Sequence, residues 1–298
     1  MSENEEALLP GLEEEYSLTS RQIQEYQADG HIYLKGVCSA AETAVYRQAI
    51  TEIYPAFTPE SYPPGEREFY GVERAFPTVM NMWERSRKVR KFSLARRFAK
   101  IAADLMGVDR LRLYHDSAIF LEKGGGAIPW HQDSPYMLQT DPDMTMTMWM
   151  PLVDLPAELG SMRFMSGSHL LKADKHTNLL LQSYRKGLSE VHYGAMPAGD
   201  ATFHSGLTLH YAAANTTNIV REVATIIYIA DNLKIVEPDT EARAYHLKRI
   251  FPGMKAGDPA VSPWTPLVFD RDTEAEADVH PVAQSDAQPD AQQERKED

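Results

Sequence analysis

The chain has 298 residues, 43% hydrophobic and 24% charged, an ordinary globular balance that allows a sizeable buried core. Its formal net charge of −13 argues against a nucleic-acid partner, because phosphate binding needs a basic face. A single cysteine, Cys38, excludes an internal disulfide framework and a cysteine-based zinc site.

No basic region followed by an apolar run opens the chain, and no stretch of about 18 apolar residues occurs, so the expectation is a cytoplasmic protein without a membrane span. Residues 1–16 are acidic and predicted to be flexible. Thr19 and Gln22 have the form of a capping box, opening a helix that Gly30 closes. A short strand, His31–Leu34, leads to a second box, Ser39 with Glu42, and to Val45, Ala49, Ile50 and Ile53 on one helical face. Residues 54–70 are rich in Pro, Gly and aromatics and read as a loop. Phe98, Ile101, Ala102 and Leu105 mark an amphipathic helix ending at Gly107.

Beyond Gly107 the rhythm changes to short runs of strand character. Candidates are Leu111–Leu121, Met144–Met150, Met162–Met165, Ala201–His204, Leu207–Tyr211 and Val223–Ile229. In the second, alternation sets Thr145, Thr147 and Trp149 on one face and methionines on the other. Polar residues 170–196 interrupt the series as a lid or a helical insertion. Residues 270–298, rich in Asp, Glu, Gln, Ala and Pro, are predicted to be a disordered acidic tail. The pattern predicts one domain over 17–269, mainly β with flanking helices, as an antiparallel sandwich or jelly roll buttressed by its N-terminal helices.

The sharpest chemical signal is Trp130-His131-Gln132-Asp133. Residues two apart in an extended segment point to the same side, so His131 and Asp133 can converge on one ion. Two histidines and one carboxylate on one face of iron(II) leave the opposite positions open for O2 and a co-substrate. By itself the triplet is a weak signal, and a third ligand must come from elsewhere. His210 is the best placed and His204 its nearest rival, with Gly206 between them marking a bend or bulge. What favours His210 is Arg221, eleven positions on, at the start of an apolar strand. A guanidinium entering a barrel needs an anion, and a dicarboxylate would supply one.

These pieces resemble the phytanoyl-CoA dioxygenase family of iron(II)- and 2-oxoglutarate-dependent oxygenases. The matching elements are His115-Asp116, Gly124 through Trp130-His131-Gln132-Asp133, the Trp149 strand, and Gly160-Ser161-Met162-Arg163-Phe164 leading to Ser166-Gly167-Ser168-His169. Gly199-Asp200 followed by His210, Asn215 and Arg221 continues the order, and the segment from Leu18-Thr19 to Gly30 precedes it. The resemblance spans roughly residues 18–235 and implies a double-stranded β-helix (cupin-like jelly roll) core. It implies His131, Asp133 and His210 as iron ligands and Arg221 as the partner of the distal carboxylate of 2-oxoglutarate. Trp149 lies on the strand that lines the co-substrate pocket in this family, and Thr147 shares its face. The implied cofactors are Fe(II), 2-oxoglutarate and O2. The implied activity is oxidation of a small organic metabolite, hydroxylation foremost, with succinate and CO2 as co-products, by a monomer or homodimer.

The chain departs from the family pattern at Ser166, in place of a common proline, and at Ser117 and Leu121, in place of a common glutamine and lysine. His169 reads as a turn residue. Asp133 disfavours halogenation, because related halogenases carry a small residue there. Tyr136, Met137 and Phe164 are candidate substrate contacts, with aromatics of residues 54–70 beside them. Two rivals stay open: a cupin-like metal-dependent dioxygenase that does not use 2-oxoglutarate, and a non-catalytic ligand-binding jelly roll.

Overall fold

The computed structural model describes residues 9–54, 78–172 and 177–272. Both capping boxes form, opening α1 (Ser20–Asp29) and α2 (Ala40–Ile53). Each pairs a side-chain oxygen with an otherwise orphaned helix N–H, worth about 1 kcal/mol. Gly30 ends α1 at φ +77°, and a Cβ there would sit 2.3 Å from His169 Nδ1 and 2.5 Å from Thr208 Oγ1. Both the left-handed turn and the close approach require glycine.

β1 (His31–Leu34) follows. On α2 the buried residues are Thr43, Tyr46, Ala49 and Ile50, whereas Val45, expected inside, is exposed. The interior arc runs through 43, 46 and 50 and leaves position 45 at its rim. Residues 9–16 are anchored instead of flexible. Leu12 is buried in the main core, Tyr46 donates to the Pro10 carbonyl, and Arg97 Nε donates to the Glu14 carbonyl. The Leu9 and Leu12 carbonyls also accept, from Lys91 Nζ and the Arg97 amide, so backbone acceptors and one buried apolar side chain dock this acidic stretch. The predicted loop after Tyr54 lies outside the described residues.

β2 (Thr78–Met80), α3 (Arg87–Ser93) and α4 (Arg96–Met106) precede the long strand β3 (Arg110–Leu121). Then come β4 (Ile128–His131), β5 (Thr145–Pro151), β6 (Arg163–Met165), α5 (Leu179–Arg185), β7 (Glu190–His192) and β8 (Ala201–Ser205). The chain closes with β9 (His210–Ala212), β10 (Arg221–Ala230), α6 (Glu241–Ile250) and β11 (Leu267–Asp270). Residues 170–196, read as a lid or helical insertion, hold a helix and a strand around an undescribed stretch, 173–176. The strand expected over 207–211 begins only at His210, because Thr208 N turns back to the Ser205 carbonyl. β11 extends into the predicted tail, and Arg271 pairs with Asp104 and Asp109. The remainder of that tail, from residue 273, lies outside the described residues.

The fold is mainly β, two antiparallel sheets facing each other as a jelly roll. The large sheet has the order β1-β8-β5-β10-β3-β11, with β2 on β3, and the small sheet the order β4-β9-β6-β7. Helices cover the outer face of the large sheet, where Met146, Met148, Met150, Phe203, Ile226 and Tyr228 join Ile50, Phe92, Phe98 and Ile101 in the main core. The inner face looks toward the small sheet. A cavity opens between them.

Candidate metal centre

The small sheet sets His131 and His210 directly opposite each other on β4 and β9, with ring centroids 4.1 Å apart. Each ring is pinned by the same local device. His131 Nδ1 lies 2.8 Å from the Pro129 carbonyl and His210 Nδ1 2.9 Å from the Thr208 carbonyl. A carbonyl accepts only, so each Nδ1 carries the proton and each Nε2 presents a lone pair. Burial pulls the His210 pKa down to about 3, which keeps that imidazole neutral.

Asp133 sits at the turn after β4, its Oδ1 3.6 Å from His131 Nε2 and 3.5 Å from His210 Nε2. The ligand-type atoms of His131, Asp133 and His210 all lie within 4.8 Å of one another. Two bare nitrogens and an ionised oxygen converging without a proton to share repel one another. A cation relieves that, and a facial two-histidine, one-carboxylate set suits iron(II).

The inner face of the large sheet forms the floor. Register places His31, His204, Thr147, Ile227 and His115 in one cross-strand row over β1, β8, β5, β10 and β3. Thr147 Oγ1 donates to Asp133 Oδ2 at 2.6 Å, which turns Oδ1 toward the imidazoles. His204 Nε2 lies 3.3 Å from the same Oδ2 without an aligned hydrogen bond, and its ring is fully buried. His31 is satisfied at both nitrogens, by Tyr193 and Ser166 at 2.7 Å each. The bend expected at Gly206 forms between β8 and β9, and it is also a close approach: a Cβ there would lie 2.0 Å from Thr145 Oγ1 and 2.2 Å from Ser134 Oγ. Its carbonyl accepts from Ser134 N, docking the Asp133 turn onto the sheet.

Arg221 opens β10 and is 3% exposed. Its Nη1 donates to the Ala213 carbonyl at 3.2 Å, and no carboxylate pairs with it among the described residues. Burial lowers its pKa to about 10, so it stays a cation at neutral pH. A buried cation without a counter-charge costs several kcal/mol, a cost that an anionic ligand would offset.

His131, Asp133, His210 and Arg221 line one cavity of about 170 Å3 together with His115, Ser117, Thr147, Trp149, His204 and Thr225. Such a volume is below the roughly 300–1,000 Å3 of ordinary ligand pockets and suits a compact ligand. Trp149 lies on its wall, and Thr147 also holds Asp133. The three suggested substrate contacts are not among its lining residues. Tyr136 is half-exposed on the surface, Met137 is buried in a separate apolar cluster, and Phe164 packs behind the site, stacked 4.6 Å from His31. The turn after Asp133 carries the first two away, and pairing of Phe164 opposite His210 sends its ring between the sheets. His115, Met162 and Thr225 take wall positions to which the sequence pattern assigns no role. His169 is a turn residue, its Nε2 3.2 Å from the Gln27 carbonyl.

Fold and family together define a non-haem iron(II) oxygenase dependent on 2-oxoglutarate. The chain belongs to the phytanoyl-CoA dioxygenase (PhyH) family, whose model matches residues 26–223. Among solved structures it is similar to SnoK, a non-haem α-ketoglutarate-dependent carbocyclase from nogalamycin biosynthesis. That likeness has 25% identity and a TM-score of 0.70, over 84% of this chain and 96% of SnoK. The epimerase SnoN, in complex with Fe3+, α-ketoglutarate and nogalamycin RO, is similar at 24% identity and TM-score 0.71, over 83% of this chain and 97% of SnoN. EctD from S. alaskensis, with bound Fe, shares the fold at 18% identity and TM-score 0.63, over 85% of this chain and 94% of EctD. Among curated proteins, none matches the chain by sequence. No helix among the described residues is long and apolar enough to cross a membrane.

Proposed function

We propose that His131, Asp133 and His210 hold iron(II), that Arg221 binds the distal carboxylate of 2-oxoglutarate, and that the enzyme hydroxylates a small organic metabolite. The observation that carries this reading is one cavity with opposite demands at its two ends. At one end lone pairs converge and call for a cation, and at the other a buried guanidinium calls for an anion. A metal-chelating dicarboxylate answers both.

When bound, iron(II) with 2-oxoglutarate supplies the oxidising power of the family reaction, which releases succinate and CO2. The chain's own residues prepare that chemistry. Pro129 and Thr208 carbonyls fix the imidazole tautomers, and Thr147 fixes the carboxylate. Trp149, Val223 and Thr225 wall off water between the guanidinium and the triad. Asp133 fills the position that a halide would need, which favours hydroxylation over halogenation. Likeness to SnoK and SnoN favours a ring-bearing metabolite of secondary metabolism. The reading places residues 17–269 in one catalytic domain and the protein in the cytoplasm, as a monomer or homodimer. The −13 charge supports the absence of a nucleic-acid partner.

A metabolite screen for succinate formation tests the proposal. Turnover should require iron(II), O2 and 2-oxoglutarate and rise in the presence of the true substrate. Substrate oxidation that proceeds without 2-oxoglutarate would reject it in favour of a cupin-like dioxygenase.

A further inference from the structure

Ordinary alternation along β3 would turn Asp116 toward the cavity and His115 toward the helices. Pairing with β10 breaks that alternation: Ile227 lies opposite His115 but Tyr228 opposite Leu113, so Tyr114 is an extra, bulged residue. The parity of the strand flips there. Leu113 belongs to the outer core, and Tyr114 joins the apolar cluster containing Ile227 and Ile229. Asp116 turns outward to accept from Ser93 Oγ at 2.5 Å and from the Trp83 amide at 3.1 Å. His115 turns inward onto the cavity wall. Bulges beside active sites commonly re-aim a side chain in this way.

Among the described residues, no side chain is hydrogen-bonded to His115 at Nδ1. That nitrogen is buried without an aligned hydrogen-bond partner, and the ring's contact inside the protein is with the backbone of the adjacent Asp116. His31, at the far end of the same cross-strand row, shows what a structural histidine looks like here, with both nitrogens satisfied. An imidazole left unsatisfied on a buried wall costs about 1–3 kcal/mol, which a ligand atom placed on the ring would recover. His115 also stands at the metal end of the cavity. It pairs across Ile227 with Thr147, the residue that holds Asp133, whereas Arg221 lies six positions back along β10. The distal carboxylate partner and His115 therefore serve different parts of the bound assembly.

We propose that His115 is a substrate-binding residue that takes a hydroxyl group of the substrate, so that the enzyme acts on a hydroxyl-bearing compound oriented by that contact beside the metal. A hydroxyl satisfies the ring in either tautomer, accepting from Nε2–H or donating to the bare nitrogen. An aliphatic substituent satisfies neither. The inference rests on the metal and co-substrate reading above and narrows it to a substrate class.

The test uses full-length protein loaded with Mn(II) and 2-oxoglutarate and a matched pair of probes, 4-fluorophenol and 4-fluorotoluene. Paramagnetic enhancement of fluorine relaxation reports binding close to the metal without turnover. The phenol should bind roughly 3–10-fold more tightly than the toluene, the scale of one net hydrogen bond. His115→Phe should erase that preference, and His115→Gln, which keeps a donor and an acceptor, should retain part of it. Equal binding of the two probes, equal failure to bind, or a preference that survives in His115→Phe overturns the proposal. So does a His115→Phe protein whose 2-oxoglutarate affinity collapses while the probe preference persists, since the contact is then with the co-substrate. Failure of the wild-type protein to bind Mn(II) or 2-oxoglutarate would sink the functional reading itself. Intact metal and co-substrate binding with a flat probe comparison sinks only the role of His115.

Discussion

The two faces of the large sheet come from the same strands and are built to opposite rules. On the outer face Met146, Met148, Met150, Phe203, Ile226 and Tyr228 are nearly inaccessible and packed against helices. Asp116, buried among them, accepts from Ser93 and Trp83. On the inner face Thr147, Thr225, Ser117, His115 and Arg221 surround a cavity, where His115 Nδ1 has no hydrogen-bond partner and no carboxylate among the described residues pairs with the Arg221 guanidinium. A single-residue step along each strand separates the two environments. Stability resides mostly on one side of a backbone and affinity on the other.

If that division holds, damage to one face should leave the other's property intact. The larger effect is expected at Arg221. Arg221→Ala removes charge-assisted hydrogen bonds to a carboxylate, each worth about 1.5–3 kcal/mol, so 2-oxoglutarate affinity should fall roughly 10–100-fold. Metal affinity should hold, and the midpoint of urea unfolding of the ligand-free protein should stay level or rise, because an uncompensated buried cation is gone. Unchanged 2-oxoglutarate affinity would break the comparison at once.

On the outer face the expected effect is on stability and its pH dependence, not on affinity. Burial raises the Asp116 pKa to about 7 from an ordinary 3.8. The folded state then keeps a proton that the unfolded chain has released, so this group's contribution is fully present below about pH 4 and is lost as pH rises through about 7. Asp116→Asn does not titrate. Relative to wild type, its stability should therefore improve between pH 4 and pH 7, at about 2–4 °C in Tm per kcal/mol for a domain of this size. Its 2-oxoglutarate affinity should be unaltered. A stability difference that is flat with pH would contradict the assignment.

Much of this division is legible before any fold is known. Alternation of Met and Thr/Trp over 145–150 announces two buried faces, and the two capping boxes announce the buttress helices. The His131–Asp133 spacing announces two ligands close together, although Asp133 lies in the turn after β4 and not in the extended segment that the spacing suggests. What the sequence hides are effects of pairing. The parity flip at Tyr114 depends on how β3 meets β10, so nothing local marks His115 as an inward residue. Tyr136 and Met137 follow the ligand turn closely, yet the short 3-10 turn at Ser134–Tyr136 carries them away from the cavity. Composition likewise conceals that Leu12 anchors an acidic terminus, since one buried side chain is invisible in an average.

The central claim, that His131, Asp133 and His210 form the metal centre with His204 behind it, has a direct test. Protein titrated anaerobically with iron(II) and 2-oxoglutarate should develop a weak visible charge-transfer band. His210→Ala should abolish that band, and His204→Ala should leave it in place. A band that survives loss of His210 but disappears with loss of His204 would contradict the account.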